Sequence, residues 1–397
     1  MLIGPDGRIR AVGSDADVPA PAGVPTEDFG EAVLLPGLIN THTHLELTGM
    51  GSAPPVAEFA AWIRGLREAK AARPPETFLA AARRGLADCW AAGVTTVADT
   101  GDSGAVAQAL AEADGSGIAY QEVFGPHPDQ RDESLRGLQR QVERLGRYAG
   151  GRVRLGVSPH APYTVSGPLY AATAAWADTL ALPMAVHLAE SPAESRLLAA
   201  GAGAFADAWR ARGIPMPAPA GRTPVEWLDE HGVLTGRTLC IHVVQASATD
   251  IRRLARADAA IAHCPLSNRA HEHGAAPLAA FLAAGLRLGL GTDSVASVGT
   301  LDLLAEAREA RALAGLDARR ALALATIEGA RALGLEDEIG SLRPGKWGDV
   351  VAMRPGDARP TASPDAALEE RVLAAGPQAV LATFVGGRDV HRTSRPL

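Results

Sequence analysis

Lysine is nearly missing from this chain of 397 residues: among 38 basic residues only Lys70 and Lys346 are lysines. Cysteine is scarce too. Cys89, Cys240 and Cys264 stand far apart, in odd number and with no C-x-x-C pair. That excludes a disulfide framework and fits a reducing, cytoplasmic setting. No uninterrupted apolar run reaches the roughly 18 residues of a membrane-spanning helix. Positive charge is in deficit, with a formal net charge of -7, which argues against nucleic acid as a partner. The opening stretch MLIGPDGRIRAVG has no basic segment ahead of a long apolar core, so no secretory leader is expected. The expected partner is a small-molecule substrate, with neither nucleic acid nor membrane involved. A homo-oligomer is compatible with this composition.

What is present is an ordinary globular composition, 47% hydrophobic and 21% charged, in a chain long enough for a large domain with a satellite. Eight apolar runs alternate with longer Ala-, Leu- and Arg-rich stretches. They cover 33–44, 94–100, 118–125, 153–160, 183–190, 238–244, 259–267 and 286–294, and read as buried strands. Intervening segments such as 78–93 and 134–150 have helical spacing and end at glycine. Eight strand–helix alternations predict an α/β fold, a parallel (β/α)8 TIM-like barrel.

The chain ends do not fit a barrel. MLIGPDGRIRAVGSD reads as a hairpin turning at Asp6-Gly7, and 340–353 and 380–390 also read as β segments. The expectation is a small β-sandwich built from both termini, residues 1–32 plus 340–397, beside a barrel over 33–339. The hairpin begins at Met1 itself, so either the sandwich lacks a strand or the natural start lies upstream. Residues 358–370, ARPTASPDAALEE, read as a Pro/Ala-rich loop.

Active sites of such barrels lie at the C-terminal strand ends, and the polar residues collect there. His42 and His44 close the first strand, His160 the fourth, His187 and Glu190 the fifth, His242 the sixth and Asp293 the eighth. Residues i and i+2 of a strand share a face, so His42 and His44 point the same way. Three imidazoles and a carboxylate suit a borderline ion with an open water position. The expected ligands are His42, His44, His187 and Asp293 around one divalent metal ion, zinc first, with iron or manganese as alternatives. Such an ion lowers the pKa of its water toward about 7. Asp293 doubles as acceptor of the water's proton. Glu190 carries a proton to a substrate ring nitrogen or leaving group. His242 is placed to hydrogen-bond the attacked atom or the nucleophile.

Taken in order, PGLINTHTHLE (36–46), HLAE (187–190), IHVV (241–244), HCPLSN (263–268), GLGTDS (289–294) and GSLRPGKWGDVV (340–351) resemble the amidohydrolase superfamily. Within it they resemble the branch of cytosine deaminase-like enzymes, chlorohydrolases and purine-type deaminases. The resemblance covers nearly the whole chain. It implies a barrel with a β-sandwich, one divalent metal and hydrolysis at a C–N or C–halogen bond. Binuclear relatives bridge two metals with a carbamylated lysine at the end of the fourth strand. Here that end reads GVSPH (156–160) and both lysines lie elsewhere, so a mononuclear site is expected. Glu122 as a substitute carboxylate is the less favoured arrangement.

The loops, through THLEL (43–47), TDSVAS (292–297) and LDLL (301–304), are similar to those of aminodeoxyfutalosine deaminases of the alternative menaquinone pathway. These remove the 6-amino group of an adenine nucleoside whose 5′ end carries a benzoate-bearing chain. On that resemblance, metal-activated hydroxide attacks C6, Glu190 protonates N1 and ammonia leaves. Glu46, Trp62 and His160 are the expected substrate contacts, Glu46 as acceptor for a ribose hydroxyl or exocyclic amine. Phe59 and Trp62 either stack on a flat ring or pack their loop, and Tyr163 and Ser166 cap the pocket. Arg64, Arg67 and Arg269 are candidate partners for the benzoate, and His271 or His273 for a further contact. The alternatives are deaminases of S-adenosylhomocysteine, adenosine or guanine, and hydrolases of triazines or cyclic amides.

Overall fold

The computed structural model describes residues 1–51, 58–217, 221–356 and 364–393, and of 364–367 the backbone only. Strands β1 (Leu2–Ile3) and β2 (Ile9–Ala11) form the expected N-terminal hairpin, turning through Gly7 at φ 75°. Strand β3 (Val33–Pro36) follows. Then come the eight parallel strands: β4 (Leu38–Thr43), β5 (Val94–Gly101), β6 (Gly117–Val123), β7 (Val153–Pro159), β8 (Met184–Leu188), β9 (Thr238–His242), β10 (Ala260–His263) and β11 (Arg287–Leu290). Each pairs with the next in chain order. A parallel bridge from Thr43 to Asp293, with the Asp293 N–H donating to the His42 carbonyl at 3.1 Å, brings the last strand back to the first. The result is an α/β TIM-like barrel.

Side-chain alternation explains why the strands read as unbroken apolar runs. Neighbours such as Leu38 and Ile39, Val97 and Ala98, Cys240 and Ile241, or Ile261 and Ala262 are all buried, yet fall in two different hydrophobic clusters. One face packs outward under the helices and the other inward. The helix Glu76–Ala91 presents Phe78, Ala82, Leu86 and Cys89 to this core, the spacing of one helical face.

The run 33–44 is two strands, not one. Val33–Pro36 pairs antiparallel with β12 (Val350–Met353), while Leu38–Thr43 pairs with β5. The break falls at Gly37, where an added Cβ would lie 2.0 Å from the Thr95 hydroxyl. Only glycine lets the chain pass so close as it crosses from one sheet to the other. With β13 (Val380–Val385) and β14 (Arg388–Arg392), β3 and β12 form an antiparallel sheet in the order β14-β13-β12-β3, separate from the barrel and drawn from both termini. Ile3 of the hairpin approaches that sheet at Gly348 and Gly387. Part of the expected C-terminal loop is helix, Pro364–Ala374; residues 358–363 of that stretch lie outside the described residues. No described helix is long and apolar enough to cross a membrane.

Candidate active site

The strand ends converge as the barrel requires. His42 lies in β4 and His44 just beyond it, with ring centroids 4.7 Å apart, and the His187 ring of β8 lies 5.0 Å from His42. One ring nitrogen from each of the three lies within 4.8 Å of the others. Asp293 joins them: its Oδ1 is 3.6 Å from His42 Nε2 and 3.5 Å from His44 Nε2. His242 ends β9, and its Nε2 is 3.5 Å from Glu190 Oε1. The chain turns abruptly to aim these groups. Ala189, His242, Val243 and Asp293 all have left-handed backbone, with φ between 50° and 70°. Each such non-glycine residue costs about 1–3 kcal/mol, a strain that persists where function demands the geometry.

Outer contacts fix how the rings present themselves. His44 Nδ1 meets the Thr100 carbonyl at 2.8 Å, and His187 Nδ1 meets the His160 carbonyl at 3.2 Å. A carbonyl only accepts, so Nδ1 carries the hydrogen in both and Nε2 keeps its lone pair. His242 Nδ1 is held in the same way by Asn268 Oδ1 at 2.9 Å. Asp293 accepts from the Ser267 hydroxyl at 2.6 Å and from the Ser294 N–H at 2.7 Å. Glu190 takes a hydrogen bond from the Tyr163 hydroxyl at 3.4 Å. Its backbone is held by Glu194, which accepts from the Ala189 and Glu190 N–H groups, both at 2.8 Å. Thr100, Glu194, Ser267 and Asn268 were not singled out from the sequence. Ser267 and Asn268 lie within HCPLSN, and Glu194 follows Ser191 as S-x-x-E, a helix-start signal that says nothing of its reach back to the preceding turn.

Electrostatics follow burial. Burial first, and then His42, lower the His44 imidazolium to about 3. Burial likewise holds His187 and His242 well below the usual histidine range. Neutral imidazole is the form that binds metal. Burial pushes the Asp293 carboxyl up, but His42, His44 and His242 outweigh it and hold the group well below its ordinary value. Glu190 goes the other way: burial, then the negative charges of Asp293 and Glu194, raise it well above. Both nitrogens of His42 are buried without a hydrogen-bond partner. An unpaired buried polar atom costs about 1–3 kcal/mol, which a cation at the ring would offset. The donor set therefore fits a divalent metal ion.

Residues 33–390 match the amidohydrolase family. The chain belongs to that family. This amidohydrolase is a hydrolase acting on C–N bonds. It is 36% identical over 309 residues to an aminodeoxyfutalosine deaminase of Deinococcus radiodurans, across 73% of this chain and 71% of that one. It is 33% identical over 310 residues to a 5-methylthioadenosine/S-adenosylhomocysteine deaminase of Nitratidesulfovibrio vulgaris, across 76% of this chain and 65% of that one. Its structure superposes on an atrazine chlorohydrolase of Arthrobacter aurescens TC1, solved with zinc, at a TM-score of 0.79 and 26% identity, covering 98% of this chain and 89% of that one.

The residues expected to meet substrate divide in this amidohydrolase. His160 joins the group, its ring 4.6 Å from His187, with Nδ1 2.8 Å from the Thr164 hydroxyl. Glu46 does not stand free as an acceptor. It is buried, and its carboxylate is taken by the Lys70 ammonium and the Ser103 hydroxyl. Lys70 also pairs with Asp102. Trp62 is buried against Phe59 and His271, at ring distances of 5.8 and 4.4 Å, so it packs its own helix, Phe59–Ala71, onto the segment after β10. His273 lies beneath Phe59 at 4.5 Å and brings Nδ1 to 3.7 Å from Glu190 Oε1. Arg269 is paired with Glu309. Arg64 and Arg67 are exposed on the helix Phe59–Ala71, and the charge of Arg67 reaches His160.

Proposed function

We propose that this amidohydrolase is a metal-dependent deaminase of adenine-type nucleosides, and that its substrate is aminodeoxyfutalosine. The observation that carries the reading is the buried Glu190 carboxyl, raised well above its ordinary value and 3.5 Å from His242. It stands beside a group of three imidazoles and a carboxylate suited to one divalent ion. Deamination of a purine needs such an acid, because C6 becomes electrophilic once a ring nitrogen is protonated. The likeness to the Deinococcus radiodurans deaminase supports the choice of substrate. The likeness to the Nitratidesulfovibrio vulgaris protein supports a second reading, S-adenosylhomocysteine or 5-methylthioadenosine.

His42, His44, His187 and Asp293 would hold the ion, with zinc the best match to that donor set. When bound, it lowers the pKa of a water toward about 7 and so supplies a nucleophile at neutral pH. The chain does the rest. Asp293, held ionised, accepts the proton that the nucleophile sheds. Glu190, whose raised carboxyl favours the protonated form, delivers its proton to the ring nitrogen N1. The Tyr163 hydroxyl on Oε2 favours the proton on Oε1. His242 has its Nδ1 hydrogen committed to Asn268, so Nε2 accepts from the attacking oxygen and orients it. Asp293 then passes its proton to the C6 amine, which leaves as ammonia, while Glu190 recovers a proton from the new C6 hydroxyl as it becomes a carbonyl. His160 borders the purine from the fourth strand end.

The test is ammonia release and the accompanying ultraviolet shift, with metal-assayed protein and a panel of aminodeoxyfutalosine, S-adenosylhomocysteine, adenosine and guanine. The proposal expects kcat/KM for aminodeoxyfutalosine at least about tenfold above the others, a difference of roughly 1.4 kcal/mol in barrier. Preference for another purine keeps the mechanism and overturns the substrate. No ammonia from any of them overturns the deaminase reading.

A further inference from the structure

His187 belongs to two donor groups. Besides His42 and His44, it lies within 4.8 Å, ligand atom to ligand atom, of His160 and Glu122. These three come from successive strand ends: Glu122 in β6, His160 directly after β7 and His187 in β8. Glu122 is 7% exposed, and its Oε1 has no hydrogen-bond partner. A buried, unpaired carboxylate oxygen is costly; burial raises the Glu122 carboxyl to about 8, and a bound cation takes the place of the proton that otherwise relieves it. The charges that reach Glu122 are those of Lys70, Asp102 and Glu46. Two carboxylates thus offset the one ammonium that reaches Glu122, while the charges of Lys70 and Arg67 also reach His160.

Hydrogen bonding leaves the correct lone pairs available. The Thr164 hydroxyl donates to the Ala161 carbonyl at 3.1 Å, so it accepts from His160 Nδ1 and frees His160 Nε2. His187 Nδ1 is likewise spent on the His160 carbonyl, so its single free lone pair is the one both groups share. One lone pair cannot bind two ions.

We propose that Glu122, His160 and His187 form a second divalent-cation site, filled at metal excess, that takes His187 from the first ion and closes the pocket at His160. Two imidazoles and a carboxylate suit zinc. The inference rests on the reading of His42, His44 and Asp293 as ligands that keep the first ion.

The experiment is equilibrium dialysis of the one-zinc enzyme against rising zinc, with zinc per chain measured directly and deamination followed in parallel. Wild type is expected to rise from one to two zinc per chain, its rate falling as the second fills. Glu122→Gln, of equal size, and His160→Asn should each stay at one, or need at least about tenfold more zinc, with unchanged circular dichroism. A wild-type chain that stays at one zinc to the solubility limit would overturn the proposal. So would a second zinc taken up equally well by both variants. If the one-to-two pattern holds and no substrate is turned over, the deaminase reading fails and this one stands.

Discussion

Glu190 carries the sharpest prediction at the scale of a single residue. On the proposed mechanism its acid form does the work, and burial, with the charges of Asp293 and Glu194, raises the carboxyl so as to favour that form. Glu190→Gln keeps the shape and removes the proton. We expect kcat to fall about 10²- to 10⁴-fold, with zinc content unchanged. The sign of the pH dependence follows from the raised carboxyl. Activity is full below the folded-state value and is lost as pH rises through it, and that limb disappears in Glu190→Gln. A variant with near-normal kcat, or the same alkaline limb, would remove Glu190 from the chemistry. Single residues also mark how far the sequence can be read. His42, His44, His187, His242 and Asp293 stood out because each interrupts or closes an apolar run, and the end of a buried parallel strand is visible in one dimension. Glu46 reads as a free acceptor in the sequence, because its partner Lys70 lies on a helix 24 residues away, and which face that helix turns is decided by packing. Lys70 was read only for where it is not, and its pairing with Glu46 and Asp102 needed the fold.

At the scale of elements, the short turns after the strands do the aiming. The helix Pro265–Ala270 follows β10 and carries both Ser267, on Asp293, and Asn268, on His242. Asn268→Ala takes away the acceptor that fixes the His242 tautomer. We expect kcat to drop about ten- to a hundredfold with little change in KM, and Asn268→Asp to recover most of it; a change in KM alone would mean Asn268 only shapes the pocket. Gly291 is a second such point. A Cβ there would lie 2.7 Å from His42 Cβ, 2.8 Å from its carbonyl oxygen and 2.9 Å from its nitrogen. Backbone cannot yield as a side-chain tip can. Gly291→Ala should therefore cost about 1–3 kcal/mol and lower zinc content together with melting temperature. Loss of neither would mean the closure between β11 and β4 is looser than described. The eight strands were legible at this scale. The split at Gly37 was not, since an apolar run looks the same whichever sheet it feeds. The helix Pro364–Ala374 was disguised by its proline, which the first turn of a helix tolerates, although its alanines are strong helix formers.

At the scale of the whole molecule, the fold and the chemistry separate. One barrel carries deaminases and a chlorohydrolase among its likenesses, so the architecture alone names no substrate. That is why the barrel and its strand-end histidines could be read from sequence while the purine contacts could not: the former follow periodicity, the latter follow loops. The metal links the two levels. An ion bound only by the folded chain stabilises it by about 2.7 kcal/mol at a hundredfold excess over Kd. Chelation should lower the melting temperature and abolish turnover, and zinc should restore both. An unchanged melting temperature with activity lost would place the ion outside the barrel mouth.

The measurement that tests the account most directly is an anomalous difference map from crystals of the one-zinc enzyme. The account predicts a single peak among His42, His44, His187 and Asp293, facing Glu190. A peak on Glu122, His160 and His187 instead, or none at the strand ends, would contradict it.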